Sequence, residues 1–377
     1  MISGDYMKSV LKILLPLKLR NFIVRCAFKI LAIFCKLLPL KNRVLFYTIR
    51  ADGKLLDNAK AVYDALDCEK AVFAAKVPHS LRTSVKAYFR LLTSRVIVTD
   101  DYLRYSREFT FRKQQKIFQI WHACGAFKKF GLDAPSKLTR EQERATHAQY
   151  SAVAVTGEDC RKHYAAAFGI SEDKCLVTGL PRTDRLFNDA EKMREAVYER
   201  HPEYRNKKIY LYCPTFREND GEYIVYDPHI DWQTLSESLA DDEVFVIRRH
   251  PIMNYSLINN TFNNIVDLTD EPTLELTAAS AVIITDYSSV IYDACLLGVP
   301  GVFYCPDYKE YERGFYLDFP DGLPGEMITD SAQLLAAVRR TKENPPVERI
   351  GKFVNGQMGA CDGKATERVA SVIRSWL

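Results

Sequence analysis

The fold is predicted by one stretch, Ala281-Val282-Ile283-Ile284-Thr285-Asp286-Tyr287-Ser288-Ser289-Val290-Ile291-Tyr292-Asp293-Ala294. A buried strand, a tight polar turn and a helix follow one another in it. Its apolar start, 281–284, is typical of a parallel strand covered on both faces. Residues 285–289 supply turn and N-cap residues, and helical spacing resumes at Val290. The first turn of such a helix has unpaired N–H groups that favour anions, at the sheet edge where ligands bind. An ordinary capped helix without a ligand is the competing interpretation.

Short apolar strands alternate with helices on both sides of this stretch. Strands are predicted at 43–48, 71–77, 96–99, 116–119, 152–155 and 175–178, and again at 209–212, 244–247, 265–268, 281–284 and 302–304. Such alternation is typical of βαβ units and parallel sheets. We expect an α/β protein with two Rossmann-like domains facing across a cleft, an N-terminal domain at 43–196 and a C-terminal domain at 197–362. The last segment, 363–377, is predicted to be a helix that could cross back to the first domain.

Composition excludes several classes of protein. The 377 residues are 47% apolar and 27% charged, as in soluble globular proteins. The ten cysteines have no metal-ligand spacing, which argues against a zinc site or a disulfide framework and indicates a reducing compartment. Residues 1–43 hold nine Lys or Arg and one Asp, a net of +8, so the rest of the +4 chain carries 4 − 8 = −4. An acidic body makes a nucleic-acid partner unexpected.

The basic character belongs to an N-terminal segment, residues 1–42, rich in Leu, Ile and Phe. Lys18, Arg25, Lys29 and Lys36 fall on one face of a helix, and apolar residues occupy the other sides. A membrane span would place two of these cations inside the bilayer, at roughly 2.5–3.5 kcal/mol each near its centre. We therefore expect an amphipathic helical anchor lying in the plane of an anionic membrane. A helix packed on the protein's own core is the alternative.

His122 is the candidate general base. It follows the predicted strand 116–119 and precedes a flexible loop containing Gly125, a placement that suits proton transfer. A hydrogen-bonded structural histidine is the alternative. Cys124 invites a thiol-nucleophile interpretation, which is disfavoured because no base orients it by sequence.

Arginines end several of the other strands. Arg182, Arg217 and the run Arg248-Arg249-His250 each follow a predicted strand, and a planar guanidinium binds two phosphate oxygens at once. Together with Ser288-Ser289 they would surround one cleft as a pyrophosphate-sized set of donors, and Asp293 could face the same opening. The absence of a Walker A loop and of G-x-G-x-x-G makes ATP hydrolysis and dinucleotide redox chemistry poorly supported.

Five of these segments, in order and in register, resemble the CDP-glycerol glycerophosphotransferases, the teichoic acid primases and polymerases of bacterial cell walls, together with related capsule polymerases. The matching segments are Gln119–Gly125, Thr178–Arg182, Cys213–Arg217, Arg249–Pro251 and Thr285–Ser289 with Asp293, and similarity extends over about residues 43–320, including Asp307–Tyr311 and Gly314–Asp318. The resemblance implies a GT-B-like fold, a CDP-activated polyol donor and an undecaprenyl-diphosphate-type lipid-linked acceptor. It also implies a peripheral location on the cytoplasmic face of the cell membrane.

On this resemblance the expected reaction is transfer of a polyol phosphate to an acceptor hydroxyl with release of CMP. Glycerol phosphate is the polyol phosphate expected in the first place. His122 and His250 are the expected catalytic residues. The expected donor-binding set is Trp121, Ala123, Cys124, Gly125, Ala126, Arg182, Thr215, Phe216, Arg217, Arg248, Arg249, Ser288, Ser289 and Asp293. No obligatory metal is expected, and a role for a divalent cation is left open. The alternatives are a ribitol phosphate transferase, a GT-B glycosyltransferase that uses a nucleotide sugar, and a non-catalytic membrane-surface binding protein.

Overall fold

The computed structural model describes residues 17–134, 136, 138–219, 222–311 and 314–377. The first described element is helix α1 (Leu17–Leu37), so the beginning of the expected membrane anchor, residues 1–16, lies outside the described residues. Two six-stranded parallel sheets follow, one from each half of the chain. The expected α/β architecture with parallel sheets is confirmed.

The first sheet is built from strands that alternate with helices. Its strands are β1 (Lys41–Thr48), β2 (Lys70–Ala74), β3 (Ser94–Thr99), β4 (Lys116–Gln119), β5 (Ala152–Val155) and β6 (Cys175–Val177). The helices between them are α2 (Asp57–Ala65), α3 (Leu81–Thr93), α4 (Arg140–His147) and α5 (Cys160–Phe168). The spatial order is β2-β1-β3-β4-β5-β6, so β1, β3 and β4 lie side by side with their carboxyl ends at one edge.

Helices α6 (Asp184–Asn188) and α7 (Ala190–Arg200) connect this sheet to the second one. The remaining strands are β7 (Lys208–Cys213), a hairpin of β8 (Arg217–Asn219) and β9 (Glu222–Ile224), β10 (Glu243–Ile247), β11 (Ile265–Asp267), β12 (Val282–Thr285), β13 (Gly301–Tyr304) and β14 (Glu326–Ile328). The accompanying helices are α8 (Trp232–Ser238), α9 (Thr273–Ala279), α10 (Val290–Leu296), α11 (Leu334–Glu343), α12 (Val347–Met358) and α13 (Ala365–Arg374). The sheet order is β11-β10-β7-β12-β13-β14.

The stretch that predicted the fold forms the centre of this second sheet. Strand β12 lies between β7 and β13, all four of its residues are buried, and α10 begins after a four-residue turn. Burial on both faces explains why the strand contains apolar residues without polar alternation. The hairpin β8–β9 and the short strand β14 were not predicted, because each of these three-residue runs starts with a charged residue and lacks the continuous apolar run that predicted the equally short β6 and β11.

Helices α12 and α13 close the first domain. Their apolar residues join one core cluster with strands of the first sheet, including Phe118 of β4 and Ile373 of α13. Asp184 accepts hydrogen bonds from the N–H groups of Ala365 and Thr366 at the start of α13, at 2.9 and 2.8 Å. The last helix therefore packs on the first half of the chain, and one face of the first sheet is covered by C-terminal residues.

Helix α1 packs on α3 along one side only. Ala32 and Cys35 are buried, and the rings of Phe28 and Tyr88 lie 4.7 Å apart. Ile33 and Phe34 on the other side are 61% and 64% exposed. No helix among the described residues is long and apolar enough to cross a membrane.

Candidate active site

Three neighbouring strands of the second sheet bring the C-terminal candidates together. Strands β10, β7 and β12 are adjacent and parallel, so the residues that follow them share one edge. These residues are the run 248–250 after β10, the run 215–217 after β7 and the turn 286–289 after β12. The sequence predicted this convergence, and the structure differs in how each side chain is used.

His122 stands on a backbone held in an unusual conformation. The preceding residue, Trp121, has φ +43°, in the left-handed region that costs a non-glycine residue about 1–3 kcal/mol. The Gln119 side chain accepts the Trp121 N–H at 2.9 Å, and the buried Asn58 amide donates to the Trp121 carbonyl at 2.9 Å. Asn58 also accepts the backbone N–H of Arg182 at 2.8 Å. The loop that presents His122 is thus fixed from two sides.

The hydrogen bond of His122 defines which ring nitrogen can accept a proton. Its Nδ1 lies 2.9 Å from the carbonyl oxygen of Asp100. Because a carbonyl oxygen can only accept, Nδ1 carries the hydrogen and the neutral ring keeps its lone pair on Nε2. Nε2 has no hydrogen-bond partner among the described residues. This geometry suits a general base.

His250 has the opposite tautomer and lies at the edge of the second sheet, with part of its side chain exposed and part packed against Phe216. Its Nδ1 accepts the N–H of Ile252 at 3.2 Å, so in the neutral ring Nε2 carries the hydrogen. Partial burial, the charge of Arg248 and the charge of Lys128 lower the pKa of His250. Lys128 belongs to the loop that begins at His122, so the two halves of the chain approach each other here. At neutral pH His250 is therefore an uncharged hydrogen-bond donor.

Buried polar atoms beside His250 lack partners. Arg248 Nε and Thr215 Oγ1 are buried without a hydrogen-bond partner among the described residues. Leaving such a group unpaired costs about 1–3 kcal/mol, which a ligand oxygen would offset. Ser288 and Ser289 are half-buried, and Ser288 Oγ accepts the N–H of Val290 at 3.4 Å. These four residues form the part of the predicted donor site in which the structure describes no ion pair.

Arg217 and Arg249 already form ion pairs with carboxylates. The Arg217 guanidinium pairs with Asp286 at 2.9 Å and with Asp307 at 2.5 Å, and lies 4.0 Å from the centre of the Tyr226 ring. Burial alone would lower the pKa of Arg217, but the two carboxylates raise it. Arg249 pairs with Asp267 at 2.7 Å. Both arginines brace the loops at the strand ends, so the structure does not bring them to an open site as the sequence predicted.

Arg182 and Asp293, both predicted to bind the donor, bind each other. The guanidinium and the carboxylate are 3.0 Å apart, and their side chains are only 12% and 7% exposed. Arg182 also donates to Cys124 Sγ at 3.0 Å. Burial by itself would lower the pKa of Arg182, but Asp293 and then Cys124 raise it. The pair joins the two halves of the chain.

The loop after His122 also contacts both halves of the chain. Ala126 N donates to Gln357 at 3.0 Å, and Gly125 N donates to Thr156 at 3.0 Å. Gly125 has φ +63°, and a Cβ there would overlap the Tyr292 ring of α10. Ala123 is held by Tyr164, which donates to its carbonyl at 3.2 Å.

Cys124 and Phe216, two further residues of the predicted donor-binding set, are both packed against other side chains. Burial raises the pKa of Cys124 well above its usual value, which keeps the thiol protonated and argues against a nucleophile. Phe216 packs its ring 4.9 Å from that of His250, so it supports the histidine from beside the strand end.

Sequence reasoning did not assign several residues that hold this site. They are Asn58, Asp100, Gln119, Asp286, Asp307 and Gln357. Asp286 stands inside the quoted stretch, fully buried, and accepts the N–H of Thr215 at 2.9 Å. Its position between a strand and a serine turn was the available signal. No group of three or more His, Cys, Asp or Glu able to hold a metal ion occurs within the described ranges.

Comparison with known proteins gives a consistent result. A family model described as CDP-Glycerol:Poly(glycerophosphate) glycerophosphotransferase matches residues 33–375. The teichoic acid ribitol-phosphate primase of Bacillus spizizenii is 33% identical over 375 residues, covering 93% of this chain and 95% of the primase. The teichoic acid poly(ribitol-phosphate) polymerase of the same organism is 31% identical over 366 residues, covering 90% of this chain. The chain spans 57% of that polymerase's length.

A solved structure gives the same fold. A histidine variant of the wall teichoic acid polymerase TagF, soaked with CDPG, superposes with a TM-score of 0.75 at 20% identity, covering 100% of this chain and 98% of the other. At this identity the similarity establishes the fold, a GT-B-type arrangement of two α/β halves.

Proposed function

The chain belongs to the CDP-glycerol:poly(glycerophosphate) glycerophosphotransferase family, and from that membership we propose that it transfers a polyol phosphate from a CDP-activated donor to a hydroxyl of a lipid-linked acceptor. The polymer would be a teichoic acid or a capsule-type cell-surface polymer. The observation that carries the proposal is the pair of complementary histidines. His122 offers an acceptor at Nε2, and His250 offers a donor at Nε2.

In the proposed reaction the acceptor hydroxyl attacks the phosphorus that carries the polyol. Nε2 of His122 takes the hydroxyl proton as the new P–O bond forms, and the bond from that phosphorus to the bridging oxygen of CMP breaks. CMP leaves and a phosphodiester remains. General-base catalysis of this kind contributes typically 10²–10⁴-fold. The fixed backbone around Trp121 supports this role, because it holds the imidazole in place before substrate arrives.

On the donor side, Arg248, His250, Thr215 and the two serines would hold the diphosphate. Arg248 Nε and Thr215 Oγ1 would gain the hydrogen-bond partners they lack. The Arg248 guanidinium would offset the negative charge that develops on the leaving CMP. We propose that this set suffices without an obligatory metal ion.

The polyol has two candidates. The family description names glycerophosphate, the polyol expected from the sequence. Ribitol phosphate is favoured by the relative that matches along 95% of its own length, a ribitol-phosphate primase. Both polyols use the same chemistry at phosphorus, so the proposed roles of the histidines are unchanged by the choice.

A panel of donors tests the proposed function. We expect the full-length protein, supplied with a polyprenyl-diphosphate-linked glycan in vesicles, to release CMP from CDP-glycerol or CDP-ribitol and to lengthen the acceptor by one or more polyol phosphate units. Mass spectrometry of the lipid product identifies the polyol, and parallel reactions with EDTA test the metal proposal.

UDP-sugars in the same panel provide the control for the alternative functions. Sugar transfer from a UDP-sugar without polyol transfer would identify a glycosyltransferase instead. No turnover with any donor, in protein that still binds vesicles, would identify a membrane-surface binding protein.

We also propose that the protein is peripheral on the cytoplasmic face of the membrane, held there by α1. Support comes from apolar side chains that α1 exposes on the side away from α3, with Ile30 54%, Phe34 64% and Leu37 77% exposed. Lys29 on the same helix is exposed and could meet anionic lipid. Because Ala32 and Cys35 are part of the core, point substitutions test this proposal better than deletion of the helix.

Phe34→Glu should weaken binding to vesicles that contain anionic lipid by about tenfold or more, since a phenyl group contributes about 1.5–3 kcal/mol when it leaves water. Flotation with labelled vesicles measures the partition coefficient. Val347→Glu is the matched control, because Val347 is 70% exposed on α12 and is not part of the proposed membrane surface. Equal losses for the two variants, or no loss for Phe34→Glu, would contradict attachment through α1.

A further inference from the structure

A separate cavity of about 250 Å³ opens at the carboxyl ends of β1, β2 and β3. It is lined by Tyr47 at the end of β1, by 77–79 after β2, by Ser84 of α3 and by 104–108 after β3. Small-molecule sites usually measure about 300–1,000 Å³, so the cavity is small for a whole nucleotide. It is large enough for a compact polar group.

The Tyr47 hydroxyl is an unsatisfied donor in this cavity. Tyr47 is 1% exposed, and its Oη has no hydrogen-bond partner among the described residues. Burial raises the pKa of Tyr47 above its usual value, so the hydroxyl stays protonated. The neighbouring ring of His79 cannot serve it, because Nε2 lies 2.9 Å from the Ala75 carbonyl and Nδ1 lies 2.9 Å from the Tyr105 hydroxyl.

The charge at the cavity favours an anion. Arg104 and Arg107 line it, and neither guanidinium has a carboxylate within ion-pairing distance in the ranges that the structure covers. The Arg107 side chain donates from Nε to the Arg104 carbonyl at 3.4 Å. Glu108 is the single carboxylate of the lining, so two cations face one anion. Two guanidinium groups and a buried hydroxyl are a donor set suited to phosphate oxygens.

Two neighbouring features indicate which phosphate-containing ligand the cavity binds. The loop after β3 begins at Asp100, whose carbonyl holds His122 Nδ1, and reaches the cavity lining at Arg104, so one loop connects the proposed base to the cavity. Ser84 of the cavity lining belongs to α3, and two apolar side chains of the same helix face solvent, Leu81 at 61% and Val85 at 42% exposure. Helix α3 packs directly against α1. The cavity is therefore linked to the candidate base through the loop after β3, and to α1 through α3.

We propose that this cavity binds the diphosphate group of the lipid-linked acceptor, with the Tyr47 hydroxyl, Arg104 and Arg107 donating to its oxygens. The assignment rests on the proposed function for the nature of the acceptor. In this arrangement the lipid chain leaves over α3 and α1, and the glycan extends along the 100–107 segment towards His122.

Vesicle binding of the full chain, measured without any CDP donor, tests the assignment. The probes are phosphatidylcholine vesicles doped with a polyprenyl diphosphate, and phosphatidylcholine vesicles brought to the same surface charge with phosphatidylglycerol. We expect Tyr47→Phe and Arg104→Gln each to weaken binding to the diphosphate vesicles by about tenfold and to leave binding to the phosphatidylglycerol vesicles within twofold. Soluble pyrophosphate should compete with the diphosphate vesicles for wild type and fail to compete for Tyr47→Phe.

Arg82→Gln is the matched control, because Arg82 is exposed on α3, carries the same charge and does not line the cavity. It should leave discrimination between the two vesicles intact. Equal losses on both vesicles for Arg104→Gln, or unchanged binding for Tyr47→Phe, would overturn the assignment. A variant that loses pyrophosphate binding but binds the diphosphate vesicles as wild type does would also overturn the assignment. The cavity would then bind free anions and not the lipid-linked diphosphate.

These readouts do not depend on turnover. A protein that discriminates between the vesicles but releases no CMP counts against the proposed function and supports the cavity. Retained turnover with no discrimination counts against the cavity alone. Thermal melts of Tyr47→Phe check the fold, which should be preserved because the substitution removes only an unpaired hydroxyl.

Discussion

His122→Ala should lower kcat for polyol phosphate transfer by about 10²–10⁴-fold while the protein stays folded. The imidazole is half-buried, and its one hydrogen bond in the described structure joins Nδ1 to the Asp100 carbonyl. Its removal takes away the proton acceptor at Nε2, and the fixed Trp121 backbone remains supported by Gln119 and Asn58. Single-turnover CMP release at saturating donor measures the effect on chemistry directly.

The donor affinity of the His122→Ala variant should change little, because the proposed diphosphate contacts come from the other half of the chain. His163→Ala is the matched control, because His163 is a half-buried histidine of α5 that packs beside Tyr316 and is given no role in the proposed reaction. It should keep activity within about twofold. Activity of His122→Ala within tenfold of wild type would exclude the general-base role.

Asp293→Asn should lower the free energy of unfolding by about 3–5 kcal/mol, the second large effect that the structure predicts. The substitution leaves the Arg182 charge buried beside the Cys124 sulfur and without its paired carboxylate. A solvent-exposed pair would contribute far less, and this one is 12% and 7% exposed. Urea unfolding followed by circular dichroism measures the change through the midpoint and slope.

Two controls separate this effect from donor binding. Asp189→Asn breaks the exposed pair with Lys192, whose side chains are 35% and 83% exposed, and should cost less than about 1 kcal/mol. The double variant Arg182→Met/Asp293→Leu removes both charges and should recover most of the stability. If Asp293→Asn instead kept wild-type stability and raised only the KM for the donor, the pair would belong to the donor site after all.

The strands were predictable because parallel strands buried on both faces appear as short continuous apolar runs. Strand β4, for example, has the bounds that the sequence predicted, 116–119. The position of His122 followed from the same logic, since the residue after a strand lies at the functional edge. Strand β14 has only two apolar residues after Glu326, which is too short an apolar run to give such a signal, so it was missed.

The use of each arginine was not predictable. Arg182 and Asp293 are 111 residues apart, and Arg217 and Asp307 are 90 residues apart. Sequence shows that a cation ends a strand, but only the folded chain shows whether a carboxylate from elsewhere neutralises it. Arg248 is left with an unpaired buried Nε, whereas Arg217 and Arg249 are paired.

The cover that α12 and α13 place on the first sheet has a consequence for how the chain folds during synthesis. Phe118 of β4 contacts Trp376, which follows α13, with ring centres 5.5 Å apart. When the ribosome has completed the first sheet, one of its faces is still bare, and it stays bare until α12 and α13 have been made. The nascent first domain therefore presents an apolar surface while the whole second sheet is synthesised, when chaperone binding and aggregation compete with folding. Helices α12 and α13 complete the domain that was made first.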